Sequence, residues 1–283
     1  MILAVDMGNS NIVVGGLDDQ ATYFEERITT DDRKTSLEYA IMLKNILEIH
    51  KIKRSDIEGS IISSVVPPLN APLSSAVKKI TGKRPFLVGS GMKTGLNIKM
   101  DNPKAVGGDR IVAAVAAIAR YEGPIIIIDM GTATTMDVVD KAGSYIGGVI
   151  LPGVKVALNS LVSNTAQLPR INLDVPKRTI GKNTIECMRN GIMYGNAAML
   201  DGLIDRMEAE LGEPATLVAT GGMSRFITPL CTHKIIYDAD LLLRGLLILY
   251  RQNMPEYRAK TGLQNLPAGL RYNPYQNRTS FSI

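Results

Sequence analysis

Two short segments carry most of the chemistry this chain can do. Asp6-Met7-Gly8-Asn9-Ser10-Asn11 and Asp129-Met130-Gly131-Thr132-Ala133-Thr134-Thr135 each put a carboxylate, a glycine and small polar side chains directly after an aliphatic run. In the first, Gly8 permits a tight turn in which successive N–H groups converge as an anion nest. Asp6, at the end of the run, can hold hydrated Mg²⁺ against the phosphates bound there. The segment lies between two β-rich runs, so it is neither a Rossmann turn nor a Walker loop, both of which feed a helix. An ordinary Asx-type turn opened by Asp6 is the alternative. Asp109, after Gly107-Gly108, sits where a loop meets an Ala-rich helix, a position that also suits a helix N-cap. Asp101 and Asp137 read as surface caps outside any site, and His50 and His233 as solvent-exposed or satisfied histidines.

The elements that must position these residues repeat. Ile2 to Gly8 aligns on Ile125 to Gly131, strand then Asp then Gly then polar turn, 123 residues apart. Two copies of a βββαβα-like unit with a boundary near 117 to 124 account for the length. The first run and Ile12 to Leu17 predict a hairpin. The capping box Thr35-Ser36-Leu37-Glu38 predicts a helix over 35–50 with Tyr39, Leu43, Ile46 and Leu47 inside. Further along, the pattern predicts a strand over 61–66 ending at Pro67-Pro68, a strand at 86–88, a helix over 110–120, and strands at 125–128, 136–139 and 145–150. A helix over 184–211 capped by Gly212, a strand over 216–220 and a helix over 241–250 complete it. Residues 1–117 are the expected N-terminal lobe, 118–253 the C-terminal lobe and 254–283 a basic tail.

Composition narrows the class. The 283 residues are 45% hydrophobic and 21% charged, which fits a globular chain and excludes a disordered or collagenous one. Net charge is +5, of which residues 254–283 supply +3 (Arg258, Lys260, Arg271 and Arg278 against Glu256), leaving +2 for the body. No basic face with interleaved aromatics is visible, so nucleic acid is not an expected partner. Cys187 and Cys231 lack neighbours at zinc-ligand spacing and read as reduced, buried thiols. No apolar stretch reaches 18 residues, so no membrane span is expected, and the protein is expected in the cytoplasm.

Taken together, a set of motifs resembles the type III pantothenate kinase family. They are Asp6-x-Gly8-Asn9-x-Asn11, Ser63 to Pro68, Lys93-Thr94-Gly95-Leu96, Asp101-Asn102-Pro103, Gly107-x-Asp109-Arg110, Asp129-x-Gly131-Thr132-Ala133-Thr134-Thr135 and Gly147-Gly148-x-x-x-Pro152-Gly153. Leu168-Pro169, Gly181-Lys182-Asn183-Thr184 and Ala219-Thr220-Gly221-Gly222 complete the series, in the family's order over about residues 2 to 253. The resemblance implies an α/β, duplicated actin-like ATPase (ribonuclease H-like) fold with the nucleotide between two lobes. It also implies ATP-dependent phosphorylation of pantothenate to 4′-phosphopantothenate, a cytoplasmic homodimer, and use of Mg²⁺ with K⁺ or NH₄⁺.

Carried over by position, Asp6, Met7, Gly8, Asn9, Ser10, Asn11, Ile12 and Val13 resemble the ATP phosphate loop, and Thr132 a second nucleotide contact. Gly107, Gly108, Asp109 and Arg110 resemble the pantothenate-binding segment, with Asp109 the family's proton acceptor; Thr184 resembles a further pantothenate contact. Asp129 matches the monovalent-cation ligand, and no Lys or Arg occurs between Ile125 and Asp140 to neutralise it within that stretch. Three positions depart from the family. Met100 stands where a pantothenate-contacting Tyr is common, Gly108 replaces an Ala, and Ser10 replaces a Thr but keeps the hydroxyl. The competing classes are a non-catalytic nucleotide-binding relative, such as a regulator of gene expression, and a kinase of another small alcohol or carboxylate. The dimer interface is expected to include the helix after Thr184, whose apolar residues exceed one core-facing stripe.

Overall fold

A computed structural model describes residues 1–89 and 91–254. In chain order the first part forms β1 (Ile2–Met7), β2 (Asn11–Leu17), β3 (Thr22–Thr29), α1 (Ser36–Ile49), β4 (Gly59–Ser64), α2 (Asn70–Thr81), β5 (Phe86–Leu87), β6 (Asn97–Ile98) and α3 (Gly108–Arg120). The second part forms β7 (Ile125–Met130), β8 (Ala133–Val139), β9 (Ser144–Pro152), α4 (Val154–Ser163), α5 (Thr184–Leu211), β10 (Thr216–Thr220), α6 (Ser224–Ile227), β11 (Ile236–Tyr237) and α7 (Leu241–Asn253).

These elements make two compact units, each with its own sheet. The first sheet has the order β3-β2-β1-β4-β5: β1, β2 and β3 form an antiparallel meander, and β4 and β5 continue from β1 in parallel. The second has β9-β8-β7-β10-β11 with the same directions, plus β6 added in parallel at the β9 edge. The repeat read from Ile2–Gly8 and Ile125–Gly131 is therefore a repeat of topology, not only of motif. Both meanders even share a register irregularity late in their second strand, at Gly16/Leu17 and at Val138/Val139.

The unit boundaries differ from the expected linear division at 117/118. Among the described residues the first unit comprises Met1–Leu96, Asn102–Arg120 and Leu241–Met254, while Asn97–Asp101 and Tyr121–Asp240 form the second. Helix α7 packs with α3 in the first unit, where Val112 and Val115 share one core with Leu243, Leu246 and Leu247. Gly245 lies directly against the Val112 carbonyl, where no side chain fits. The expected basic tail 254–283, Met254 apart, lies outside the described residues.

The pleat of β1 decides what its Asp faces. Successive strand side chains alternate between faces. Leu3, Val5 and Met7 join a core with Tyr39, Leu43 and Leu47 of α1 and Leu73 and Val77 of α2. Ile2 and Ala4 join the opposite core, with Ile61 of β4, Val112 and Val115 of α3 and Leu243 and Leu246 of α7. Each such buried side chain contributes about 1.5–3 kcal/mol, so slipping β1 by one residue would invert a whole face. That register sends Asp6 to the α3 face. In the second unit Ile126, Ile128 and Met130 pack with Met193, Ala197 and Leu200 of α5, which leaves Ile125, Ile127 and Asp129 on the other face.

The capping box is present as expected: Thr35 Oγ1 accepts from the Glu38 N–H and Glu38 Oε2 accepts from the Thr35 N–H at 2.7 Å. Helix α5 ends on Gly212 in the left-handed region at φ 75°. The strand β3 was absent from the sequence pattern, α3 begins two residues before the expected 110, and α7 runs three past 250.

Candidate active site

The first unit's candidate site forms where β1 and β4 end and α3 begins. Asp6 and Ser63 are register partners at the C-terminal ends of parallel strands, the location at which open α/β sheets bind ligands. Ser63 is fully buried, and its hydroxyl completes no well-formed hydrogen bond among the described residues although it lies close enough to Asp6 to favour the charged carboxylate. The Asp6 carboxyl is pushed up from its ordinary 3.8 to about 7. Burial is the largest cause and the negative charge of Asp109 the next, with Ser63 and the Arg27 cation pulling the other way.

Asp109 is not the N-cap of α3. The helix opens at Gly108, the Ile111 N–H donates to the Gly107 carbonyl at 3.1 Å, and Asp109 lies within the first turn. Its Oδ1 accepts from the Arg110 N–H at 2.8 Å. A Cβ at Gly107 would lie 2.5 Å from that oxygen, and one at Gly108 would lie 3.7 Å from Ser63 Oγ. Gly107, Gly108, Asp109 and Arg110 are all partly exposed, so the segment borders solvent and stands within the electrostatic range of Asp6.

The loop from Gly8 to Asn11 joins β1 to β2. Its turn is closed by the Gly8 N–H donating to the Asn11 carbonyl at 3.0 Å, so Gly8 itself gives no amide to an anion. Asn9, Ser10 and Asn11 are exposed. Met7 and Ile12 have fully buried side chains in the core below, and Val13 is half-buried. Whatever Met7 and Ile12 offer a ligand comes from the backbone.

The second unit repeats the arrangement with different side chains. Asp129 pairs in register with Thr220 at the end of β10, as Asp6 does with Ser63. Gly221 follows at φ 89°, and a Cβ there would lie 2.5 Å from Asp129 Oδ1 and 2.7 Å from the Met130 nitrogen. Only glycine allows that backbone approach. Thr132 is exposed, and its carbonyl accepts from the Gly153 N–H at 3.1 Å. Met100 belongs to this unit, with its sulfur 3.6 Å from where a Gly147 Cβ would stand. Thr184 is the exposed first residue of α5, capped by Asn183, whose side chain accepts from the Glu186 N–H at 2.9 Å. The expected substrate contacts are thus divided, Gly107–Arg110 in the first unit and Met100 and Thr184 in the second.

Among the described residues no group of three or more His, Cys, Asp or Glu side chains could hold a metal by itself. A hard cation that keeps its waters and takes one carboxylate plus ligand phosphates, as Mg²⁺ does, fits Asp6. The raised Asp6 carboxyl is what a nearby cation would bring down. Asp129 presents the oxygen donors that K⁺ or NH₄⁺ prefer.

Ser63 and Gly221 stand in the sequence only as members of motifs, Gly221 within a Gly-Gly turn beside the two Asp loops; what each does locally comes from strand pairing and a close approach. Sequence patterning misplaced two residues. Asp137 is buried at 1% exposure in β8, accepting from the Tyr145 hydroxyl at 2.6 Å and the Thr135 hydroxyl at 3.3 Å, and is no surface cap. Cys187 is exposed on α5 rather than buried; both cysteines are free. The histidines are satisfied as expected: His50 bonds Glu26 at 2.9 Å and stacks on Phe24, and His233 lies between Asp201 and Asp205. No helix among the described residues is long and apolar enough to cross a membrane.

A family model described as type III pantothenate kinase matches residues 2–206. The type III pantothenate kinase of Exiguobacterium sibiricum is 46% identical over 253 residues, covering 89% of this chain and 100% of that protein. That of Moorella thermoacetica is 42% identical over 255 residues, covering 89% and 100%. Among solved structures, a Campylobacter jejuni protein described as a Baf family transcriptional activator has a TM-score of 0.56 at 20% identity, over 89% of this chain and 98% of that one. A Sinorhizobium meliloti protein described as a 2-dehydro-3-deoxygalactonokinase has a TM-score of 0.52 at 13% identity, over 90% and 97%. These two show the fold alone, the duplicated α/β fold of actin-like ATPases and sugar kinases. The motifs, the repeated topology and the relatives agree: the chain belongs to the type III pantothenate kinase family, kinases that phosphorylate pantothenate in coenzyme A biosynthesis.

Proposed function

We propose that Asp109 takes the proton from the primary hydroxyl of pantothenate as that oxygen attacks the γ-phosphorus of ATP. The new oxygen–phosphorus bond forms, the bond from γ-phosphorus to the β,γ-bridging oxygen breaks, ADP leaves and the proton stays on the Asp109 carboxylate. The observation that carries this reading is the placement of Asp109, partly exposed in the first turn of α3, where a Cβ on Gly108 would lie 3.7 Å from Ser63 Oγ and Ser63 is the register partner of Asp6. It supports one acid beside the phosphate loop and a second at the solvent border, where an acceptor enters. Phosphoryl transfer needs mainly positioning and charge neutralisation, with a proton acceptor worth about 10²–10⁴-fold.

In this reading Gly8 to Asn11, with the Met7, Ile12 and Val13 backbone, cradles the ATP phosphates, and Thr132 makes a second nucleotide contact. Asp6 holds Mg²⁺ through water, and the ion neutralises phosphate charge. Asp129 holds K⁺ or NH₄⁺. Arg110 meets the pantothenate carboxylate as a bidentate donor, the Gly107 and Gly108 backbone lines the acceptor, and Met100 and Thr184 are further pantothenate contacts. A homodimer is supported by apolar exposure in the second unit, where Ile150, Val175, Ile180 and Ile185 are 45–81% exposed. A monomer mass by light scattering at micromolar concentration would remove it. The family resemblance supports a cytoplasmic location.

The test incubates the pure protein with ATP, Mg²⁺, K⁺ and a panel of pantothenate, acetate and sugars. Product formation with pantothenate is expected. Turnover of another acceptor only, or ATP binding without turnover of any, would contradict the reading.

A further inference from the structure

The segment after β3 is tied to the loop between β1 and β2 by one residue. Thr30 Oγ1 donates to the Gly8 carbonyl at 2.7 Å, and the Thr30 N–H donates to the Ser10 carbonyl at 3.1 Å. The second bond extends the β2–β3 ladder one step past the Asn11–Thr29 pair. In a trans peptide a carbonyl and the following N–H point to opposite sides. Thr30 therefore turns the Asn9 and Asn11 N–H groups away from itself.

Thr30 is in turn anchored. The hydroxyl of Tyr39, fully buried in α1, donates to the Asp31 carbonyl at 2.7 Å and accepts from the Asp31 N–H at 3.2 Å. Tyr39 lies four residues after the Thr35 cap, and its N–H donates to the Thr35 carbonyl, so the capping box fixes where that hydroxyl stands. Asp31 also binds Lys34 Nζ at 3.2 Å and the Arg33 N–H at 3.0 Å, which holds the segment compact.

We infer that Thr30 is a positioning residue for phosphoryl transfer, holding the loop Gly8–Asn11 so that its Asn9 and Asn11 amides face the ATP phosphates. This rests on the reading of that loop as the phosphate site. Thr30→Val keeps the side-chain shape and leaves the Gly8 carbonyl unpaired, Thr30→Ser keeps the hydroxyl, and Tyr39→Phe frees both ends of Asp31. Losing one hydrogen bond is typically worth roughly 3- to 10-fold. Thr30→Val should raise the MgATP KM by that factor and leave the pantothenate KM within about twofold. Thr30→Ser should restore it, and Tyr39→Phe should move it in the same direction. Asp6→Asn serves as the reference. If Asp6→Asn raises the MgATP KM while folded Thr30→Val does not, the inference fails and the phosphate-site reading stands. If neither does, both fail. Equal rises in both KM values for Thr30→Val would make Thr30 merely structural and overturn the inference.

Discussion

Asp6 and Asp109 lie on the same face of the first sheet, one at the end of β1 and the other in the first turn of α3, close enough that the charge of Asp109 raises the Asp6 carboxyl. Two acids held within electrostatic range cost stability in the free protein, and sites that do so usually serve chemistry.

That cost can be measured. A carboxyl raised from 3.8 to about 7 binds more protons folded than unfolded across that window. Stability therefore falls as pH rises from about 4 to about 7 and stays reduced above it. Asp6→Asn should raise the Tm of the ligand-free protein at about pH 8, with the gain shrinking toward about pH 4. Thermal melts across that range check it, and an equal Tm change at every pH would contradict it.

MgATP binding should release a proton from Asp6 below about pH 7, because the bound cation favours the charged carboxylate. Calorimetry in two buffers of different ionisation enthalpy reads that proton. Asp109→Asn should reduce the release by lowering the Asp6 carboxyl; an unchanged release would remove the charge coupling between the two acids.

Much of this was legible in the chain. The Asp-x-Gly turns after Ile2–Val5 and Ile125–Ile128 announced the duplication, because an aliphatic run broken by those residue types has few other uses. The long α5 carried its own stop at Gly212. What was not legible came from pairing. β3 alternates in exposure, but Glu26 lies on its inner face between Phe24 and Ile28 and Tyr23 on its outer face, so the hydrophobic pattern does not show it. Nothing local says that Leu241–Asn253 packs on α3, which the Gly245–Val112 approach decides. Asp137 reads as a surface cap in the chain, and only the pairing of β8 with β9 brings the Tyr145 hydroxyl to it.

Gly221→Ala should weaken the second unit's site. The added carbon would press on Asp129 Oδ1 and the Met130 backbone at 2.5 and 2.7 Å while forcing a left-handed φ on alanine. Such overpacking typically costs about 1–3 kcal/mol. A drop in Tm together with a weakened K⁺ response is expected, and wild-type values for both would mean that the approach is readily relieved.

The activity should rise saturably with K⁺ or NH₄⁺ at constant ionic strength and be low in Na⁺. Asp129→Ala should lose that response. Equal rates in K⁺ and Na⁺, or a K⁺ response surviving in Asp129→Ala, would reassign Asp129 to Mg²⁺ or to structure.

The proton acceptor is tested most directly by the single-turnover rate of Asp109→Asn with saturating MgATP and pantothenate, beside its ATP affinity. Asn keeps the shape and the acceptor oxygen for the Arg110 N–H but cannot take a proton. The expected result is a rate roughly 10²- to 10⁴-fold below wild type with ATP affinity within about threefold. A rate within about threefold of wild type would contradict the assignment and leave Asp109 as a charge that only tunes Asp6.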